Sequence, residues 1–271
     1  MLLDCPPNKP AICSTYSEYM LDMQGDRSST ELRPRSIPLM QETMVQAARL
    51  AESCWIEWLR PVEEYFEFRS PDAFRAERQS PAKETATGSW NVELDGRRGA
   101  ALTFEFAEQM VGWPYFTIQA PAGTVIELMV QEAHQVGGPA LLNTHFDSWA
   151  RFTCREGSNH FETFDFESCR WVQLHIHGAA SKITISGVGM RRRIFPWPHK
   201  PHLHVAEPSL QRLMDAALNT LNNCAQETLM DGGGRERQQY SGDCGHQLHS
   251  VHLNFGEARL PARFLSTFSK A

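Results

Sequence analysis

The feature that most constrains the fold is a series of eight short segments between residues 88 and 195. Each is rich in threonine, β-branched or aromatic residues, and glycine, proline, asparagine or aspartate separates it from the next. Short segments of this composition at regular spacing are typical of antiparallel strands in two packed layers. The stretch therefore predicts a β-sandwich. The segments are GSWNVEL, AALTFEF, YFTIQA, TVIELMVQEA, ARFTCRE, HFETFDF, RWVQLHIHG and KITISGVGM.

The hydrophobic periodicity changes after FPWPHKP, residues 195–201. Between residues 209 and 225 apolar side chains recur every three or four residues, which predicts one long amphipathic helix. Two more short helices are predicted over HQLHSVHLNFGEA and PARFLSTFSKA. The expected fold class is therefore a β-sandwich followed by α-helices. The apolar stripe of the long helix consists of Leu210, Leu213, Met214, Ala217, Leu221 and Cys224.

The residues before the sandwich have weaker patterns. Residues 1–38 lack periodicity and are expected to form a tail or connector, with RPRSIP extended because a proline disfavours helix in the residue before it. Residues 39–87 are expected to be a linker region with a helix over 41–59, where apolar residues recur at helical spacing. Cys54 to Trp58 are equally consistent with a buried strand. The expected division is 1–38, 39–87, 88–195 for the sandwich and 205–271 for the helical part.

Charge and cysteine usage exclude several classes of protein. The formal net charge is −6, and the only basic run, MRRR at 190–193, is predicted to be a solvated strand end, so no nucleic-acid partner is expected. No apolar run approaches membrane-spanning length, and MLLDCPPNKP lacks the pattern of a signal peptide. Seven widely spaced cysteines without a CxxC pair fit buried thiols in a reducing compartment. We therefore expect no membrane partner and a cytoplasmic location.

The loop MDGGGRERQQYSGDC, residues 230–244, concentrates charged side chains on a segment that three glycines keep out of regular helix. A carboxylic acid can protonate a departing oxygen when its environment raises its pKa. Neighbouring carboxylates raise that pKa, whereas Arg235 and Arg237 lower it. Glu236 is the candidate proton donor, and Asp231 and Asp243 are candidates to bind a polyhydroxylated substrate. A solvated capping loop whose arginines neutralise its acids is an equally good interpretation.

Histidine clusters suggest a metal site as an alternative. Some of them lie on one face of a predicted strand and others along one side of a predicted helix. They match none of the diagnostic zinc spacings, so no metal ion and no other cofactor is expected. The histidines concerned are His175, His177, His202, His204, His246, His249 and His252, with Asp243 and Cys244 close to the last three.

Aromatic residues of the predicted sandwich would offer a second kind of site, a platform on which sugars stack. Aromatics at alternating strand positions are more often part of a core, and we prefer that interpretation. The residues concerned are Trp113, Phe116, Trp149 and Trp171.

The stretch DGGGRERQQYSGD, residues 231–243, resembles the catalytic-loop signature of the α-L-rhamnosidases of glycoside hydrolase family 78. The shared pattern is an aspartate, then Arg-Glu-Arg, then an aromatic residue and Gly-Asp. FEFAEQMVGWPYFTIQAPAGTVIELMVQEA and FETFDFESCRWVQLHIHG resemble strands of the family's β-sandwich, and RSIPLMQE resembles the connector before it. The resemblance runs over residues 33–257 in the family's order.

This resemblance implies hydrolysis of terminal α-L-rhamnose with inversion, on an (α/α)₆ barrel, and a rhamnose-containing glycoside or oligosaccharide as partner. By motif position Glu236 is the general acid, and Asp231, Arg235 and Asp243 hold rhamnose hydroxyls. Inversion needs a second carboxylate about 6.5–9.5 Å from the acid, with room for a water molecule. In the family that general base comes from a later part of the barrel.

Only 28 residues follow Asp243, and Glu257 carries the only carboxylate side chain among them. Helices of ordinary length would number about two in such a stretch. The expectation is a truncated rhamnosidase with an incomplete barrel, inactive alone, which self-associates or associates with a missing catalytic portion. The alternatives are a non-catalytic carbohydrate-binding or interaction module and a metal-binding β-sandwich.

Overall fold

The computed structural model describes residues 34–68, 70, 72–142, 149–201 and 204–269. The chain divides into two compact units, Met1–Ser36 and Ile37–Ala271. Nearly all of the tail predicted at 1–38 lies outside the described residues, as do Cys5, Cys13 and His202. All that follows concerns the second unit.

Strands come first along this unit, and most of its helical residues follow them. The strands are β1 (Gln41–Gln46), β2 (Arg49–Trp58), β3 (Phe74–Glu77), β4 (Ala82–Ala86), β5 (Ser89–Leu94), β6 (Gly99–Ala120), β7 (Val125–Gln131), β8 (Trp149–Thr153), β9 (Gly157–Glu162), β10 (Glu167–His177) and β11 (Ser181–Ile194). The helices are α1 (Val62–Phe68), α2 (Pro208–Cys224), α3 (Ser241–Phe255) and α4 (Arg259–Phe268).

Residues 41–58 form strands β1 and β2, so the prediction of a helix over 41–59 is wrong. β1 pairs with β11 and β2 with β6, both antiparallel. Cys54 and Ile56 are buried while the residues beside them are less so, which is the two-residue period of a strand. Helix propensity is a weak preference that pairing with an existing sheet overrides. The alternative, a buried strand at 54–58, is confirmed, and the helix of this region is α1.

Strand β6 belongs to both layers of the sandwich. Its first half pairs with β2 and β10, and its second half pairs with β11 and β9. AALTFEF and YFTIQA, which we predicted as separate strands, are therefore one strand of 22 residues. At Gly112 the backbone of β11 approaches so closely that a Cβ would lie 2.2 Å from the carbonyl oxygen of Arg191. Glycine thus permits the pairing to continue between the two segments.

The sandwich core consists of alternate side chains from both layers, as the sequence pattern predicts. These side chains are removed from water, which is the main favourable contribution to the free energy of folding. The prediction of a β-sandwich followed by α-helices is confirmed. Central members of the core are Val92, Leu94, Leu102, Phe104, Phe116, Ile118, Ile126, Leu128, Val172, Leu174, Ile183 and Ile185.

A second core lies among the helices. The ring of Trp197 stacks on Phe255 with centroids 4.0 Å apart, and its indole nitrogen donates to Asn222 Oδ1 at 2.7 Å. None of the described helices is both long and apolar enough to cross a bilayer. The five described cysteines are buried free thiols, as predicted, while the cytoplasmic location stays a prediction. Members of this core include Ile37, Phe195, Ala225, Leu229, Cys244, Val251, Leu260 and Phe264.

Helix α2 exposes the N-terminal part of its apolar stripe, since Leu210 is 51% and Leu213 64% exposed. We expect concentration-dependent self-association through this face, because covering a leucine contributes roughly 1.5–3 kcal/mol. Leu213→Glu should weaken it by about tenfold or more in sedimentation velocity. Arg212→Glu, an exposed change in the same helix, is the control. A wild-type chain that stays monomeric at high concentration would contradict the prediction.

Candidate active-site loop

The loop between α2 and α3 is positioned by the docking of α2 on strand β6. Asn219 and Asn223, one helical turn apart, donate to the backbone carbonyl of Gln109 at 2.9 and 3.0 Å. The Gln109 amide in turn donates to Glu132 Oε1 at 2.8 Å and to Ser168 Oγ at 2.9 Å. The C-terminal end of α2, from which the loop starts, is thereby fixed to the sandwich.

The MRRR run strengthens this junction, so the prediction of a solvated strand end is wrong. Arg192 donates to Asn219 Oδ1 of α2 at 2.8 Å and forms an ion pair with Glu108 at 2.6 Å. Arg193 forms an ion pair with Glu227, just after α2. Both arginine side chains are largely buried. They lie on the strand end that α2 covers, which the order of the sequence does not reveal.

Residues 231–238 form a ring closed by Asp231 and Gln238. The amide of Asp231 donates to the carbonyl of Gln238 at 3.0 Å. The amide of Gln238 donates back to Asp231 Oδ1 at 2.8 Å. Asp231, predicted to hold a substrate hydroxyl, therefore also closes the loop with one carboxylate oxygen.

The three glycines of the motif have three different surroundings. A Cβ at Gly233 would lie 2.7 Å from Val111 Cγ2 and 2.9 Å from Ser168 Cβ, closer than side chains approach. A Cβ at Gly234 would lie 2.9 Å from Glu132 Oε1, whereas Gly232 faces open space. The loop can therefore lie directly on strands β6 and β10 only because Gly233 has no side chain.

Arg237 attaches the loop to the start of strand β10. Its guanidinium contacts Asp165 at 2.7 Å and Glu167 at 3.1 Å, and its Nε donates to the carbonyl of Gly233 at 2.9 Å. It lies 4.4 Å from the centre of the Phe166 ring. Asp165 and Glu167 are contacts that sequence analysis missed, because they precede Arg237 by 72 and 70 positions.

Arg235 and Glu236 are more exposed than Arg237. Their side chains are 64% and 30% exposed, against 19% for Arg237, and they form an ion pair. The hydrogen bond from Arg235 is the main cause that lowers the pKa of Glu236 below its ordinary value, and partial burial opposes this. The lowered pKa keeps Glu236 in its ionised form, whereas a general acid needs a raised pKa.

Asp231 also lies beside Glu236 and is one of the groups that affect its pKa. The structure therefore brings Asp231, Arg235 and Glu236 together on one segment. Asp243 is placed separately, exposed in the first turn of α3, where the partial positive charge of the helix N-terminus favours an anion. Cys244, the next residue, is buried and directs its thiol at the carbonyl of Leu229, 3.6 Å away.

Glu257, the one candidate base after the loop, contacts the start of helix α4 instead. Its side chain is 1% exposed and pairs with Arg259 at 2.8 Å. It also accepts the backbone amide of Arg259 at 2.6 Å, at the start of the helix. Burial raises its pKa, but the hydrogen bonds from Arg259 outweigh burial and bring the pKa below its ordinary value. A buried, neutralised carboxylate is not available to activate water.

The histidines form no shared site within the described ranges. The rings of His175 and His177 lie 6.1 Å apart on one face of β10, and His177 contacts Glu127 at 3.4 Å. Burial lowers the pKa of His175 to about 3, so this ring is neutral. No group of three histidine, cysteine or acidic side chains in the described part of the chain is arranged to hold a metal ion.

Two of the four sandwich aromatics are core residues, as predicted, whereas Trp113 and Trp149 are only partly buried. Phe116 and Trp171 are buried, and the indole nitrogen of Trp149 donates to the buried carboxylate of Glu127 at 2.6 Å. The guanidinium of Arg191 covers Trp113, 4.1 Å from the ring centre. These four residues therefore do not form a common sugar-stacking surface.

A cavity of about 790 Å³ lies between the β1–β2 turn, the β4–β5 turn and the bulge of β11. Its lining combines apolar Leu50 and Val188 with polar Arg49 and Glu84, and the indole of Trp90. No residue of the 231–243 loop lines it. The cavity is a separate feature of the sandwich.

The fold and the loop define the class: a β-sandwich, then helices, with a carboxylate-bearing loop between the first two long helices. Two solved structures of similar fold are rhamnosidases. A family 78 rhamnosidase of a Bacillus species matches with a TM-score of 0.64 and 20% identity over 71% of this chain. A rhamnosidase from Klebsiella oxytoca, solved with rhamnose bound, matches with a TM-score of 0.58 and 17% identity over 85% of it. The chain thus has an α-L-rhamnosidase-like fold.

The match covers only part of those proteins. The chain spans 21% of the Bacillus protein and 44% of the Klebsiella protein. No protein-family model and no curated protein matches the sequence.

Glycine 233 allows a direct test of how the loop lies on the sandwich. Gly233→Ala should lower the free energy of unfolding by about 1–3 kcal/mol, because the new methyl group collides with Val111 and Ser168. Gly232→Ala, one position away in open space, should change it by less than about 0.5 kcal/mol. Urea unfolding measures both. Equal effects would show that the loop does not rest on the strands as described.

Glu257→Gln should lower the free energy of unfolding by about 1–2 kcal/mol near neutral pH, through loss of the contacts with Arg259. Because the folded-state pKa lies below the ordinary 4.5, the carboxylate stabilises the fold above pH 4.5. This contribution disappears as the pH falls through the folded-state pKa, so wild type and variant should converge there. Urea unfolding near neutral pH and at a pH below the folded-state pKa measures this difference, and Glu93→Gln, at an exposed position, is the control. A difference independent of pH would contradict the assignment.

Proposed function

We propose that this chain forms the sandwich and the acid loop of an inverting α-L-rhamnosidase, which releases terminal α-L-rhamnose from glycosides. The observation that carries the proposal is the loop itself, in which Asp231, Arg235 and Glu236 lie together on a segment seated on the sandwich. The likeness of fold to two rhamnosidases, one of them solved with rhamnose bound, supports the same conclusion.

In this proposal Glu236 protonates the glycosidic oxygen as the bond to the anomeric carbon breaks. Arg235 is largely exposed and is the main cause of the lowered pKa of Glu236. A rhamnose hydroxyl that accepts hydrogen bonds from Arg235 would weaken its pair with Glu236 and allow that pKa to rise. Substrate binding would thereby convert the ionised carboxylate into the acid that the reaction requires.

Asp231 and Asp243 are assigned to substrate binding. Asp231 uses Oδ1 to hold the Gln238 amide, and its other oxygen is assigned to a sugar hydroxyl. Asp243 stands in the first turn of α3, where it can accept a hydroxyl without deforming the loop. The partner is a rhamnose-containing glycoside or oligosaccharide.

The general base is assigned to a part of the enzyme that this sequence does not include. Inversion needs a carboxylate on the opposite face of the sugar from the acid. Glu257 is buried and bonded to Arg259 at the start of α4, so it does not supply that carboxylate. The rhamnosidases of similar fold extend well beyond the matched region, since the chain spans 21% and 44% of them. The active species is therefore the chain together with further barrel residues.

We expect the 271-residue chain alone to hydrolyse nitrophenyl α-L-rhamnoside negligibly. Such a leaving group reduces the need for the acid but not for the base. Adding the remaining barrel of a related rhamnosidase should restore turnover. In that complemented enzyme Glu236→Gln should slow natural rhamnosides by about 10²–10⁴-fold and nitrophenyl rhamnosides far less. Steady-state kinetics with both substrate types measures the difference.

Asp243→Asn is the companion variant, which should raise KM more than it lowers kcat because it removes a binding contact. If the isolated chain hydrolyses the substrate strongly and Glu236→Gln abolishes this turnover, the general base lies within this sequence. If Glu236→Gln instead slows both substrate types equally, Glu236 is not the general acid.

The second candidate is a carbohydrate-binding or interaction module without catalysis. The cavity of about 790 Å³ favours it, because Arg49 and Glu84 offer polar groups beside the apolar Leu50 and Val188, as ligand pockets do. This candidate predicts that the chain binds a rhamnoside, that Glu84→Gln weakens the binding, and that Glu236→Gln does not. It also predicts no turnover in the complemented enzyme. These results together would favour this candidate over the first.

A further inference from the structure

The strongest constraint on the acid loop lies one residue after Glu236. Arg237 has φ of 54°, and no other described residue besides glycine has a positive φ. This left-handed conformation is unfavourable for a side chain that has a Cβ, and it persists only where surrounding contacts determine it. A glycine would adopt it without that cost.

The Arg237 side chain makes several contacts that hold it in this conformation. Its guanidinium bridges Asp165 and Glu167, its Nε holds the carbonyl of Gly233, and its plane lies over Phe166. A planar guanidinium that engages two carboxylates and an aromatic ring is more strongly oriented than an ammonium group. We refer to Arg237 with Asp165, Glu167 and Phe166 as the arginine clasp.

The clasp sets the direction of the residues before it. Since Arg237 faces the sandwich and its backbone is left-handed, Arg235 and Glu236 face outward, as their greater exposure shows. The ring between Asp231 and Gln238 closes around this turn.

We propose that Arg237 is the positioning residue of the acid loop, through which the β-sandwich holds Glu236 in its working orientation. The sandwich is then part of the catalytic apparatus and not only a neighbouring domain. This inference rests on the proposed function only in naming Glu236 as the acid. The clasp itself is testable without turnover.

The test compares Arg237→Gly, Arg237→Ala and Arg237→Lys in the full chain. The first readout is the pKa of Glu236, followed through its carboxyl ¹³C resonance. The second is hydrogen exchange of the Asp231 and Gln238 amides, which close the ring. Arg237→Gly removes the clasp while permitting the left-handed turn, so it separates positioning from backbone conformation.

We expect Arg237→Gly and Arg237→Ala to move the pKa of Glu236 towards its ordinary value and to speed exchange of both ring amides at least about tenfold. Arg237→Lys should change the Glu236 pKa and the amide exchange less than Arg237→Gly does, because an ammonium group keeps the charge but not the forked geometry of the guanidinium. The Asp165→Asn, Glu167→Gln double variant should reproduce Arg237→Gly, and combining them should add little. Exchange in the middle of β10 should not change.

Arg98 provides a matched control. It also contacts two carboxylates, Glu77 at 2.6 Å and Asp95 at 2.8 Å, and lies 4.4 Å from the ring centre of Trp55. Arg98→Ala should leave the Glu236 pKa and both ring amides unchanged.

If Arg237→Gly leaves the titration and exchange of the loop as in wild type, Arg237 serves only the turn and the proposal is overturned. Equal acceleration throughout β10 would also overturn it, because Arg237 would then stabilise the whole fold. If the clasp behaves as expected but the complemented enzyme does not hydrolyse rhamnosides, the proposed function fails while the positioning role stands.

Discussion

The contact of Arg237 with Asp165 and Glu167 joins parts of the chain that are about 70 residues apart, and the arrangement of the site depends on it. A loop with three successive glycines has a large conformational entropy to lose on ordering. Three sets of contacts offset this loss of entropy: the clasp, the ring closed by Asp231 and Gln238, and the packing of Gly233 on the strands. Without the clasp, little else would direct Glu236 outward.

The two arginines of the Arg-Glu-Arg motif act in opposite ways, although one residue separates them. Arg235 is exposed and neutralises Glu236, which lowers the pKa of that carboxyl. Arg237 is largely covered and neutralises acids of the sandwich instead. The exposed guanidinium pairs with a carboxylate of the loop itself, whereas the covered one joins the loop to the sandwich.

The platform under the loop follows from the continuity of strand β6 through both layers. Between its two halves the strand presents Gln109, whose carbonyl receives Asn219 and Asn223 and whose amide orients Glu132. Arg192 and Arg193 add ion pairs on the adjacent strand. The sandwich thus determines where α2 ends and where the acid loop begins.

The sequence by itself determined the layers and the order of the elements. Alternation in segments such as KITISGVGM specifies a half-buried strand, and three-to-four spacing from Leu210 to Cys224 specifies an amphipathic helix, because both patterns are local. The motif also names Glu236 and its neighbours as candidate site residues, and their roles stay predictions. Only the tertiary structure decided that 41–58 pair as strands, that Glu257 accepts the Arg259 amide at the start of α4, and that Arg237 reaches Asp165. These outcomes depend on which distant surface each segment meets, and a pattern of neighbouring residues carries no information about that surface.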